Sequence, residues 1–170
     1  MNATTRRETD MYEISQKITP NLWFDTQAEE AAEFYTGIFE NSRIVDVLRY
    51  SDAGPGEPGS VMVVVFELAG QQFVGLNGGP QFKFTEALSL EVHCDSQEEV
   101  DRLWQQLGEG GEHGPCGWLK DKYGLSWQIV PTRFLELITD PDQEKAARAM
   151  RAMFGMGKLD IAALEAAAKG

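Results

Sequence analysis

Two hydrophobic periods alternate along this chain, and the same succession of periods occurs twice. The first segment, Ile18 to Phe24, sets Leu22 and Phe24 on one face and Trp23 on the other, which predicts a strand apolar on both faces at its end. Gln27 to Phe39 then places Ala31, Ala32, Phe34, Tyr35, Ile38 and Phe39 at helical spacing, which predicts an amphipathic helix covering the sheet. Arg43 to Tyr50 and the β-branched run Val61 to Leu68 read as strands, and Ala69-Gly70 reads as a tight turn into a strand over 72–76. The second pass runs from a strand at Leu88 to Cys94 into a helix over 97–107, with Val100, Leu103, Trp104 and Leu107 on its buried stripe. Short strands follow at Trp118 to Lys120 and Ser126 to Val130.

The repetition extends to individual residues. Asp25-Thr26-Gln27 with Glu29 and Phe34 returns seventy positions later as Asp95-Ser96-Gln97 with Glu99 and Trp104. A Thr or Ser three residues before a Glu predicts a capping box at the start of each helix. The fold class is therefore α+β, with two βαβββ modules, and two related halves sharing a core predict a cleft for a small ligand. The predicted organisation is a flexible segment over 1–13, a two-module domain over 14–138 with modules at 14–79 and 86–133, and a helical extension over 139–170. Between the modules, Phe82 and Phe84 lie two apart in a connector that reads as a short strand or a lid. In the extension, Asp140-Pro141 opens a helix running to about Phe154, and Asp160 caps another over 160–168. Met150, Met153, Phe154, Met156 and Leu159 then require burial, either in their own core or in a dimer interface.

Charge narrows the partners. Fifteen basic and 27 acidic residues give a formal net charge of −12, and no basic patch is segregated along the sequence, which opposes a nucleic-acid partner. No run of about 18 apolar residues offers a membrane span, and residues 1–12 lack the basic-then-apolar order of a secretory signal. The two cysteines, Cys94 and Cys116, form no Cys-x-x-Cys pair, which suits a reducing compartment and predicts a cytoplasmic protein.

Three stretches carry a family resemblance: Ile18-Thr19-Pro20-Asn21-Leu22-Trp23-Phe24, Glu33-Phe34-Tyr35, and the run Cys116-Gly117-Trp118-Leu119-Lys120-Asp121-Lys122-Tyr123-Gly124-Leu125-Ser126-Trp127-Gln128-Ile129. They resemble the PhnB-like branch of the glyoxalase/bleomycin-resistance/extradiol-dioxygenase superfamily, the vicinal oxygen chelate group. The tail around Gly157 to Glu165 resembles proteins labelled 3-demethylubiquinone-9 3-methyltransferase. That label does not define a mechanism, because the first strand-turn-helix, Phe24-Asp25-Thr26-Gln27-Ala28, has no glycine of the kind a nucleotide-binding turn requires. The resemblance implies a curved mixed sheet around a pocket, often in a homodimer, with a metal held by inward residues of the first and last strands of the modules. Those positions fall near Ile18 or Thr19, Leu76 or Asn77, Ala87 or Leu88, and on Gln128. Neutral amides do not offset the desolvation of a dication as carboxylates do, so no metal and no cofactor is predicted.

The pocket candidates are the aromatics Trp23, Phe73, Trp118 and Trp127, which offer area and stacking, with Asn21 and Gln128 as orienting amides. Glu91 and His93, two apart on one strand face, are the weak catalytic candidates for an acid-base pair. The primary reading is a protein that binds a small organic ligand between its modules without the superfamily metal, as a homodimer. Two alternatives stay open: a metal-dependent lyase, isomerase or dioxygenase-like enzyme drawing on Glu91, His93 and Gln128, and a dimeric scaffold or regulatory protein without a ligand.

Overall fold

Strand β1 (Asn21–Phe24) begins three residues later than its hydrophobic run. The reason is Pro20, which has no N–H to give to a ladder; its carbonyl still accepts from Val74 N at 3.0 Å. Upstream, Gln16 substitutes a side chain for a strand, donating from Nε2 to the Gln72 carbonyl at 2.7 Å and accepting from Gln72 N at 3.2 Å. These details come from a computed structural model that describes residues 16–170, so the predicted flexible segment 1–13 lies outside the described residues.

The first compact unit, which runs to Lys83, continues with α1 (Ala28–Ile38), β2 (Arg43–Arg49), β3 (Val61–Leu68) and β4 (Gln71–Asn77). Its sheet has the order β1-β4-β3-β2, with β1 parallel to β4 and the other pairs antiparallel. Helix α1 buries Ala28, Ala31, Ala32 and Tyr35 against Leu22, Phe24, Val64 and Phe66. The predicted capping box at its start does not form. The N-cap is Gln27 without a side-chain cap, and Glu29 pairs with Arg49 of β2 at 2.9 Å. The open N–H of Ala28 is met from the far end of the module by Asn77 Oδ1 at 2.9 Å.

The second unit, Phe84 to Gly170, contains β5 (Ser89–Cys94), α2 (Gln97–Gly108), β6 (Glu112–His113), β7 (Trp118–Lys120) and β8 (Ser126–Pro131) in the sheet order β5-β8-β7-β6. Again the first and last strands are parallel. Here the cap does form: Ser96 Oγ accepts from Glu99 N at 3.2 Å, and the Glu99 carboxylate accepts from Asp95 N at 2.9 Å. The expectation of paired βαβββ modules with mixed sheets and C-terminal helices thus describes the molecule, whereas the connector over 81–86 forms turn and irregular chain rather than a strand.

Three helices follow: α3 (Thr132–Ile138), α4 (Gln143–Met153) and α5 (Ile161–Lys169). The α4 cap is Asp142, whose carboxylate accepts from Glu144 N and Lys145 N; Pro141 therefore precedes the helix instead of occupying its first turn. Asp160 caps α5 as expected, accepting from Ala163 N at 2.8 Å. The apolar tail is used within its own unit. Leu159, Leu164, Ala149 and Ala168 form a buried cluster with Val130, Phe134 and Leu137, and Met150, Met153 and Met156 pack around it. Phe154 is the exception, at 68% exposure.

Candidate functional site

Strand periodicity and register decide which predicted residues share a surface. In the first sheet, Leu22 and Phe24 face α1, so Asn21 and Trp23 point to the helix-free face, alongside their register partners Val74 and Leu76. Trp23 is half-buried there; its Nε1 donates to the Gly79 carbonyl at 2.8 Å, and Phe82 meets its ring edge-on at 5.0 Å. Asn21 is exposed. Phe73 occupies the opposite face. It is buried against α1's side of the sheet and stacked on Phe66 with 5.6 Å between ring centroids.

The second sheet divides its candidates in the same way. Leu119, Trp127 and Ile129 face the α2 core, which leaves Trp118, Lys120 and Gln128 on the face turned away from α2, together with Ser89, Glu91 and His93. Trp127 is 2% exposed, with Nε1 donating to Asp121 Oδ2 at 2.8 Å. Trp118 is half-buried and forms the aromatic wall of a groove of about 390 Å³, shared with Pro115, Lys120 and Glu86. Gln128 Nε2 donates to Ser89 Oγ at 2.9 Å. Glu91, the register partner of Gln128, lies 2.7 Å from His93 Nε2, and both side chains are substantially exposed. The structure therefore brings Glu91, His93, Gln128 and Trp118 to one sheet face and assigns Phe73 and Trp127 to hydrophobic packing.

The positions that a metal would use offer few donors. Ile18 is 86% exposed, and Asn77 spends its amide on the α1 start and on the Val61 carbonyl. Among the described residues, no group of three or more His, Cys, Asp or Glu side chains is placed to hold a metal ion. A neutral-amide set of this kind does not fit a divalent cation.

Residues 16–130 match the family described as 3-demethylubiquinone-9 3-methyltransferase. A solved structure of a PhnB protein from Bacillus cereus, designated with that same activity, is 40% identical; the alignment covers 69% of this chain and 100% of that one, with a TM-score of 0.63. The chain belongs to the PhnB-like family of the glyoxalase superfamily. Protein PA1353 from Pseudomonas aeruginosa shares the fold at 20% identity, covering 69% of this chain and 98% of its own, with a TM-score of 0.57. No curated protein matches the chain. No helix among the described residues is long and apolar enough to cross a membrane.

In this PhnB-like chain the side chain most heavily used near the site is Asp121, whose role the sequence reading missed. It is 3% exposed and accepts from Tyr123 N at 2.9 Å, Leu125 N at 3.1 Å and the Trp127 indole. Together with Gly124 at φ +85°, it folds the β7–β8 turn that sets the register of Trp118 against Gln128. The visible signal was an Asp three residues before a Gly between two apolar strands. Beside it, Gly117 at φ +81° passes so close to β8 that a Cβ would lie 2.8 Å from the Ile129 carbonyl, which makes glycine obligatory before Trp118.

The two thiols differ sharply in environment. Burial, with Glu99 adding to it, pushes the Cys94 thiol up to about 12, while Cys116 is partly accessible in the loop before β7. A thiol reagent at neutral pH will therefore modify Cys116 in the native protein and reach Cys94 only after unfolding. Two equivalents consumed at the same rate without denaturant would refute this placement.

Proposed function

We propose that this chain binds a small organic molecule in the groove of its second module, with Trp118 as the main contact and Gln128 on the same sheet face, and without the divalent metal of the superfamily. The observation that carries the reading is the Trp118 groove, an apolar wall bordered by few polar groups, which is the usual composition of a ligand site. Trp127 packs behind the groove of the second sheet, and Phe73 packs on Phe66 within the first. The methyltransferase designation of the Bacillus cereus relative does not transfer easily, since the β1–α1 turn offers no glycine for close approach of a nucleotide-type cofactor.

Titration of the full-length protein with aromatic small molecules, followed by Trp fluorescence and calorimetry, tests the reading. Binding is expected, with Trp118→Ala weakening it by about tenfold, the equivalent of one lost stacking contact with its area. Metal analysis after dialysis against divalent salts is expected to show no stoichiometric ion; a tightly held equivalent would overturn the metal-free part. A second reading, an acid-base enzyme, is favoured by the 2.7 Å Glu91–His93 pair. It requires turnover that His93→Gln abolishes while ligand binding persists. We also propose closed homodimeric pairing, the commonest homo-oligomeric arrangement, for which light scattering should return about twice 18.9 kDa.

A further inference from the structure

We infer that the Trp118 groove selects a small apolar monocarboxylate, and that Glu86 occupies the carboxylate's place on Lys120 until the ligand displaces it. This rests on the binding reading above and specifies its ligand class. The groove offers one lysine, Lys120, which shares with Trp118 the face of β7 turned away from α2, because Leu119 between them points into the core. A ligand with an aromatic or aliphatic body on the Trp118 indole therefore reaches an ammonium group at a distance of one strand repeat.

Lys120 already holds a carboxylate. Its Nζ lies 2.6 Å from Glu86 Oε1, and the partners are unequally placed: the Lys120 side chain is 34% exposed and the Glu86 side chain 62%. The cation is the inner member of the pair and the protein's own carboxylate is the outer one, carried by the turn that precedes β5. An exposed ion pair of this kind contributes little, so exchange of one carboxylate for another is nearly balanced in charge, and apolar contact with Trp118 decides it. Glu86 is held below the usual carboxylate range by its hydrogen bond from Lys120, and Lys120 is held above the usual lysine range by Glu86 and, further down, by Glu112. Glu112 is the register partner of Lys120 across β6 and β7. Its charge, close to the ammonium, disfavours a ligand bringing a second negative group. One carboxylate on an apolar body pairs with Lys120 while its body covers the Trp118 indole, and it brings no second negative group toward Glu112.

Calorimetry on the full chain with three probes, 2-naphthoate, 2-naphthalenemethanol and 2,6-naphthalenedicarboxylate, tests the inference. Naphthoate should bind about tenfold or more tightly than the neutral alcohol, and the dicarboxylate should bind more weakly than naphthoate. Glu86→Gln should raise naphthoate affinity by about twofold to fivefold, the range of an exposed ion pair, and so widen the preference for naphthoate over the alcohol. Lys120→Met, checked for an unaltered circular dichroism spectrum, should erase the preference for naphthoate over the alcohol. Equal affinity for naphthoate and the alcohol, with both lost in Trp118→Ala, would overturn the carboxylate assignment while leaving the binding reading intact. A Glu86→Gln variant that binds naphthoate no better would overturn the displacement. Binding of none of the probes would overturn both readings.

Discussion

The Asp121→Asn variant will lose about 2–4 kcal/mol of stability, although it keeps the shape of the side chain. One carboxylate serves three donors at this position: Oδ1 takes the N–H groups of Tyr123 and Leu125, and Oδ2 takes the Trp127 indole. An amide can keep its oxygen toward the two backbone N–H groups, but its NH2 then faces another donor, the indole of a tryptophan that is 2% exposed. Loss of a charge-assisted bond together with an orphaned buried donor accounts for the magnitude. Asp121→Ala should be worse, because all three donors lose their partner. Urea unfolding followed by Trp fluorescence measures both, and Asp121→Asn with a wild-type midpoint would refute the account. A functional readout accompanies the thermodynamic one. Because the turn fixes Trp118 opposite Gln128, the variant should bind groove ligands less tightly even under conditions where it remains folded.

The elements of this fold were legible where a period was sustained and obscure where a partner came from far along the chain. Val61 to Leu68 is β-branched enough to be read at sight, and the structure returns the same bounds. The start of α1 departs from its local capping pattern because the acceptor for Ala28 N is Asn77, 49 residues away, and no local pattern encodes that contact. Helix α3 carries no local start signal, since it opens at Pro131 without a side-chain cap. In the tail, two aspartates flank Pro141, and only the geometry shows that Asp142 caps α4 while Asp140 accepts from Asp142 N and binds Lys145.

The same distinction applies to the site. Trp127 and Gln128 are consecutive in a strand, so at most one can face a ligand, and parity alone would have separated them. The deciding information is which parity faces the helix, and Asp121 supplies it by drawing the Trp127 indole inward. The side of Phe73 was not accessible from sequence in that way, because it depends on register with a strand fifty residues earlier: Trp23 pairs with Leu76, which puts Phe73 on the other face. The Glu91–His93 pairing was legible from spacing alone, as i, i+2 residues of one strand. Lys120 and Glu86 were not, since the turn carrying Glu86 reaches β7 only in three dimensions.

Deletion of residues 140–170 should unfold the second unit or leave it prone to aggregation. Leu159, Leu164, Ala149 and Ala168 are each at most 1% exposed and close over Val130, Phe134 and Leu137. A single buried leucine truncated to alanine costs about 2–5 kcal/mol, so removing two leucines with their helices approaches the whole stability of an ordinary domain. The tail also supplies polar partners. Met156 and Gly157 carbonyls accept from Cys116 N and Gly117 N, each at 2.7 Å, immediately before Trp118. Gln97 at the start of α2 donates to the Leu159 carbonyl at 3.2 Å and accepts from Ile161 N at 2.8 Å. A truncated chain would therefore expose an apolar floor and release the backbone that leads into the groove. Because such a variant gives an all-or-none answer, Leu159→Ala provides the graded one: about 2–4 kcal/mol by urea unfolding, with weaker ligand binding than wild type at the same folded fraction. Acid should act in the same direction. Asp101 and Asp140 are held below the usual aspartate range by hydrogen bonds from Lys158 and Lys145, so their contribution is present above the unfolded value of 3.8 and is lost as pH falls below it. A chain ending at Thr139 that unfolds cooperatively at the wild-type midpoint would show that the tail is an appendage, and the second module would then need some other cover for Phe134 and Leu137.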